Sequence, residues 1–236
     1  MGFHALLQKR GIPFESALAI SVNRRIFKQI KEQAHEASIK LAVERGTPND
    51  IQGTSDTERR NVHLLAIAPN ASSSILVDTS PSIEPWKANA FLQKTASGSF
   101  LVKNRYLHKE IAEYYPGKVE ETWQSIVIHN GSVQHLVELP EWTRDVFKTA
   151  IEINQNWVVQ HAVDRQDYVC QSQSVNLFFP PEVEWEYLHK VHWKGMTELK
   201  SLYYLRTEAL SRAESVGVQI ERNVIPIDDE CLACEG

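Results

Sequence analysis

Apolar residues recur at alternating three- and four-residue steps along residues 16–46, at Phe27, Ile30, Ala34, Ala37 and Leu41. That period predicts one long helix, with Ser16 capping its start and Gly46 closing its end. Residues 47–60, TPNDIQGTSDTERR, are polar and aperiodic and read as a loop. The texture then changes: VHLLAIAP, residues 62–69, is a short apolar run ended by a proline, the pattern of a strand buried on both faces. Helices are predicted at 119–128 and at 141–165, where Trp142, Val146, Ala150, Ile153, Trp157 and Ala162 lie mainly on one face, with the NGS at Asn130 marking a turn between them. YVCQSQSVNLFFPP reads as a second buried strand stopped by its prolines. A helix is expected from Pro181 to about His192, and LKSLYYLRT is a third strand. Strands alternating with helices predict an α/β architecture with parallel strands over residues 1–206. Residues 207–236 carry few large apolar side chains and many charges, the composition of a flexible tail.

Composition narrows the function. A chain of 236 residues with 42% hydrophobic residues can bury a sizeable core. A net charge of -5 leaves no basic footprint for a nucleic acid, and no apolar run is long enough for a signal peptide or a membrane span. Three cysteines, of which only Cys231 and Cys234 are close in sequence, do not make a secreted disulfide framework, so a reducing cytoplasm is expected.

Three features could carry chemistry. After the first strand, Asn70, Ala71, Ser72 and Ser73 are small and hydroxyl-rich. They read either as an ordinary polar turn with a serine cap or as an anion-binding turn, and the absence of the required glycines and lysine excludes a Walker loop. Tyr203 and Tyr204 are adjacent on the last strand, so their side chains point to opposite faces, a position open to core packing or to an interface. Cys231 and Cys234 form a terminal Cys-x-x-Cys. Two thiols cannot complete a structural zinc site, and on a mobile tail they suit thiol–disulfide exchange between two places, with incidental surface thiols as the plain alternative.

These features, in this order, resemble the C-terminal part of the large subunit of class I (Ia-type) ribonucleotide reductase, in wording nearest to the phage and bacterial branch. The resemblance runs from IPFES, IKEQAHEAS and ERG through LLAIAPNASSSI, SPSIEPW, VKNRYL, NGSVQHL, QSQSVNLFF and LKSLYYLRT to the terminal cysteine pair. It implies the C-terminal portion of a ten-stranded α/β barrel of the ribonucleotide reductase and glycyl radical type, reducing ribonucleoside diphosphates to deoxyribonucleotides. By that resemblance Asn70, Ala71, Ser72 and Ser73 hold the substrate's diphosphate. Tyr203 and Tyr204 pass the radical, and Cys231 and Cys234 re-reduce the active-site disulfide. No metal or cofactor is expected in this chain. The radical and di-iron cofactor belongs to a separate small subunit, and thioredoxin or glutaredoxin supplies electrons. Where the family reads YIDQS this chain reads YVCQS, and Cys170 is expected to be a buried strand residue.

The family's radical thiol and barrel dithiol lie upstream of the region that this sequence resembles. The expectation is therefore that this chain is inactive alone and needs an obligate partner chain that carries them, as the product of a split gene, preferred here, or as a fragment of one longer polypeptide. The location expected is the cytoplasm, that of a host if a phage encodes the protein. A different class of reading is a stand-alone thiol redox or metal-binding module built on the tail Cys-x-x-Cys, and a third is a purely structural copy. Retention of the serines, the tyrosines and the thiols together argues against the third.

Overall fold

The computed structural model describes residues 1–52, 58–95, 98–202 and 204–207, with side chains left out at 71–72, 94–95 and 204–207. Two helices open the chain, α1 (Phe3–Lys9) and α2 (Ala17–Arg45). The boundaries of α2 are those its caps predict: Ser16 Oγ accepts from the amide of Ala19 at 3.1 Å, and Gly46 ends the helix at φ 75°, a conformation that favours glycine. Its buried positions are Ala19, Val22 and Asn23 at one end and Ser38 and Ala42 at the other, while Ile30 and Ala37 are exposed. The middle of the apolar stripe therefore has no neighbour among the described residues to cover it.

The strand expected at 62–69 is reduced to a single parallel bridge, Ile67 with Gln173, and its residues alternate between half-buried and exposed rather than lying buried on both faces. The chain is nevertheless extended and hydrogen-bonded: Gln171 donates to the Leu65 carbonyl at 3.0 Å, and Ser174 donates to that of Ile67 at 2.8 Å. A regular ladder stops short because the amides of Leu64 and Leu65 turn to Cys170 Sγ, and Pro69 has no N–H to give. A short helix, α3 (Ala71–Leu76), follows at once.

The sequence pattern did not signal the next elements, an antiparallel hairpin of β1 (Ala90–Thr95) and β2 (Gly98–Lys103) and the helix α4 (His108–Tyr114). Helix α5 (Val119–Ile128) has the predicted bounds. The single helix expected at 141–165 is instead two, α6 (Glu141–Val146) and α7 (Gln155–Gln166). Local hydrogen bonds break it. Glu152 accepts from the amide and the hydroxyl of Thr149, and the Asn154 side chain caps α7 by accepting from the amide of Asn156. Asp, Asn and Thr side chains compete with helical hydrogen bonds in this way, and an apolar period alone does not register it.

Strand β3 (Asn176–Phe179), helix α8 (Trp185–Glu198) and strand β4 (Tyr204–Thr207) close the described fold. Helix α8 begins later than expected, after a turn at Pro181 and Glu182. β3 and β4 pair in parallel, Asn176 opposite Tyr204 and Phe179 opposite Thr207, with α8 as the crossover. The α/β character with parallel strands is thus present, joined to the antiparallel hairpin.

Two apolar cores form. The first packs α1, α2, α7, α8 and β3 through Leu7, Phe14, Val22, Val159, Leu177, Phe179 and Val191. The second gathers α4, α5 and α6 around Trp123, Ile126, Leu107 and Leu139. Gly131 joins the hairpin entry to the second core. It sits at φ 81°, and a Cβ there would lie 2.3 Å from that of Ala88, so only glycine lets the NGS turn approach while its carbonyl accepts from the Asn89 amide.

Buried polar groups tie the first core. Arg165, 2% exposed, donates from Nε to Gln173 and from NH1 to Asn23, and its guanidinium lies over the rings of Phe27 and Phe3. Burial pushes its pKa down to about 9, which still leaves it charged at neutral pH. Two histidines are held neutral in the same region. His4 Nδ1 accepts from the Trp86 amide, and burial, aided by the nearby His161, lowers its pKa to about 3. His161 donates from Nε2 to the Phe14 carbonyl, and burial lowers its pKa to about 4. Both values fall below the ~6.5 of an unfolded histidine, so each ring takes up a proton on unfolding at mildly acid pH. Their stabilising effect is complete above about pH 6.5 and is lost as pH falls towards the folded values. Urea unfolding between pH 6.5 and 5 is expected to show stability dropping with a slope that steepens from about 0.7 towards about 1.4 kcal/mol per pH unit for each histidine. A flat profile over that interval would contradict the neutral, buried assignment.

Candidate functional site

Asn70 is the N-terminal cap of α3, and Ala71, Ser72 and Ser73 form that helix's first turn, where the helix provides no acceptor for its own amides. Ser73 is exposed, whereas Ser74 is buried. A contact from outside the turn helps to aim it, the Asn70 amide donating to Ser82 Oγ at 2.8 Å. Ser82 adopts φ 46°, a left-handed conformation that costs a non-glycine residue about 1 kcal/mol and is held here by the surrounding contacts.

Ser82 belongs to a strap, residues 80–86, that contacts both α1 and β3. Ser80 Oγ accepts from the Ala5 amide of α1 at 3.1 Å, and the Trp86 amide donates to His4. Glu84, 4% exposed, accepts at one carboxylate oxygen from the amide of Asn176 at 3.1 Å and from its side-chain nitrogen at 2.5 Å. Asn176 is the ladder partner of Tyr204. The strap therefore fixes the Asn70 turn through Ser82, and through Glu84 it fixes the strand that pairs with β4.

Of the residues singled out in the sequence, Asn70, Ala71, Ser72, Ser73 and Tyr204 are thus connected through one strap. Tyr203, Cys231 and Cys234, with most of the tail, lie outside the described residues. The residues that sequence reasoning missed are Ser82, Glu84 and Asn176. The available signal was a lone carboxylate in SPSIEPW, flanked by prolines and apolar residues in a segment with little to keep it solvated.

Cys170 departs from expectation, being exposed and outside any strand. Its Sγ accepts from the amides of Leu64 at 3.1 Å and Leu65 at 3.2 Å. Partial burial opposes ionisation of this thiol, but those amides and the ammonium of Lys200 outweigh it and hold the pKa below the ordinary cysteine value. Among the described residues no group of three or more His, Cys, Asp or Glu is placed to hold a metal ion, and no helix is long and apolar enough to cross a membrane.

Comparison with known proteins decides the family. Residues 1–58 and 51–205 match the family described as ribonucleotide reductase, barrel domain. The chain belongs to the ribonucleotide reductase barrel-domain family. It is 45% identical over 92% of its length to the ribonucleoside-diphosphate reductase large subunit of Invertebrate iridescent virus 6, covering 23% of that protein. It is 41% identical over its whole length to the putative large subunit of Frog virus 3, covering 41%. The α subunit of the Actinobacillus ureae class Id ribonucleotide reductase superposes with a TM-score of 0.79 at 37% identity, over 91% of this chain and 39% of that one. The chain thus spans less than half the length of these large subunits.

If the strap positions the turn and β3, removing its carboxylate should be felt in stability before chemistry. Glu84→Ala leaves both nitrogens of Asn176 without that acceptor in a buried site, and a loss of about 1–3 kcal/mol is expected in urea unfolding. Glu84→Gln, which keeps an acceptor oxygen, should lose less. Equal stability of Glu84→Ala and the unaltered chain would show that the strap does not hold β3.

Proposed function

We propose that this chain is the C-terminal portion of the catalytic barrel of a ribonucleoside-diphosphate reductase large subunit, and that it acts on ribonucleoside diphosphates. The observation that carries the reading is the common strap. Ser82 and Glu84 bring the serine turn after the first extended segment into one frame with the strand that begins at Tyr204, in a chain whose family match runs from residue 1 to 205.

In this reading the amides and hydroxyls of the Asn70, Ala71, Ser72 and Ser73 turn hold the diphosphate, since a helix start presents unpaired donors to an anion. Tyr203 and Tyr204 relay a hydrogen atom or electron between the small subunit and an active-site thiol. The reduction replaces the 2′-hydroxyl of the ribose by hydrogen and releases water. Its two electrons come from a pair of active-site thiols, which become a disulfide. Cys231 and Cys234 then attack that disulfide, restore the thiols and become oxidised themselves, and thioredoxin or glutaredoxin reduces the tail in turn. The di-iron radical cofactor resides in the small subunit, and the radical-bearing and reducing thiols come from large-subunit polypeptide outside these residues. Cys170 lies apart from that work, next to Leu64 and Leu65 at the start of the first extended segment.

Two features support a barrel completed by further polypeptide. Among the described residues the middle of α2 is uncovered, and a groove of ≈360 Å³ lies between Ile26, Phe27 and Ile30 of α2 and residues 65–68. Sheet edges and apolar grooves of this kind need a covering partner. A cytoplasmic location follows from the reducing chemistry of the tail dithiol.

The test combines this chain with the remaining portion of a large subunit, the small subunit and dithiothreitol, and measures deoxyribonucleoside diphosphate. Product is expected from the mixture and not from the chain alone. Tyr203→Phe should abolish product while leaving assembly intact, because phenylalanine has no hydroxyl hydrogen to pass. Cys231→Ser with Cys234→Ser should allow a first turnover but stop thioredoxin-driven cycling. Product from the chain alone, or full activity in Tyr203→Phe, would overturn the reading.

A further inference from the structure

A second recess, of ≈440 Å³, opens between the end of α1, the start of α4 and α6, and shares no lining residue with the Asn70 turn. Its volume falls in the range of about 300–1,000 Å³ usual for small-molecule sites. Lys9, Arg105 and Lys109 line it against a single carboxylate, Glu110. Lys9 and Lys109 have no hydrogen-bond or ion-pair partner among the described residues, and both are exposed. Arg105 is already engaged: its NH2 donates to the Tyr106 hydroxyl at 3.0 Å, its NH1 lies 3.5 Å from Asp78 with both side chains about half exposed, and its guanidinium lies 5.1 Å from the centre of the Tyr106 ring.

Trp142 completes the recess in an unusual way. Its Nε1 donates to the Gly11 carbonyl at 2.9 Å, which pins the polar edge of the indole, yet the side chain is 57% exposed. Trp185 and Trp193 are more exposed still, so what marks Trp142 is not exposure but a ring pinned at the wall of a recess, beside two lysines without partners among the described residues. A fixed indole offers a stacking surface to a planar ring, and ammonium groups recognise a phosphate as compact point charges. The combination selects for the two together over either alone.

We propose that this recess is a binding site for a planar-ring organic phosphate of the nucleoside monophosphate class. The ring stacks on Trp142, and the phosphate lies between Lys9 and Lys109 with Arg105 in reach. Glu110 accepts from a hydroxyl or amino group of the ligand and disfavours a bare polyanion. The site stands independently of the reductase reading, because none of its residues belongs to the turn, the tyrosines or the tail.

Isothermal titration of the full chain with adenosine 5′-monophosphate, adenosine and inorganic phosphate tests it. The monophosphate should bind at least about tenfold more tightly than either of its parts. Trp142→Ala, and separately Lys9→Gln with Lys109→Gln, should each weaken it by about tenfold or more. Both lysines are exposed and unpaired among the described residues, so the circular dichroism and urea midpoint of the double variant should match those of the unaltered chain. Ser72→Ala with Ser73→Ala should leave the affinity unchanged. Inorganic phosphate binding as tightly as the nucleotide would reduce the recess to an ionic patch. Affinity that survives Trp142→Ala, or that disappears with the two serines, would place the nucleotide elsewhere. Any of these three results overturns the proposal.

Discussion

The contact on which the described site depends is the one between the buried Glu84 carboxylate and Asn176. One carboxylate oxygen receives two N–H groups of the same residue, so the strap and β3 are locked at a point where water is excluded. A hydrogen bond to a carboxylate is stronger than a neutral one, and leaving its donors unpaired inside the protein costs more than the bond itself contributes. The strap therefore has one low-energy position. Because Ser82 lies two residues away on it, that position also decides where the Asn70 turn points. The turn at Asn70 and the strand that begins at Tyr204 are far apart in sequence, and their common frame comes from this short segment rather than from either element.

The rest of the first core supports the strap from behind. Arg165 bridges Asn23 of α2 and Gln173 of the central extended segment, and Gln173 also donates to the Ala162 carbonyl of α7. A charge this deep is costly unless its donors are matched, and the flanking Phe3 and Phe27 rings help to offset the lost hydration. The gain is orientation, since the network admits one register between α2, α7 and the central segment. His4 and His161 work in the same manner, each committed to a backbone partner in a single neutral tautomer.

What the fold leaves unsatisfied is as informative as what it pairs. Among the described residues the middle of α2 and its groove with residues 65–68 present apolar surface of the kind that a partner buries. This agrees with a chain that spans less than half of the large subunits it matches. The recess at Trp142 is of another kind. It is walled by charges and a pinned ring rather than by bare aliphatic surface, and so it suits a small polar ligand better than a missing strand.

Local signals in the sequence determined the long helix, since Ser16 and Gly46 cap α2 through contacts within a few residues, and they determined α5 by its apolar face. They also placed the serine turn after an extended segment and parallel strands around it. The sequence by itself carried the family as well, because an ordered series of short motifs survives without any knowledge of their contacts. Local side-chain hydrogen bonds decided the break between α6 and α7, and tertiary structure decided the exposure of Cys170 and the partnership of Glu84 with Asn176. Each of these turns on where a side chain finds its hydrogen-bond partner, often across many positions of the chain. Periodicity reports which face of an element is apolar. It holds no information about which distant donor a buried oxygen will meet, and that pairing is fixed only when the elements pack.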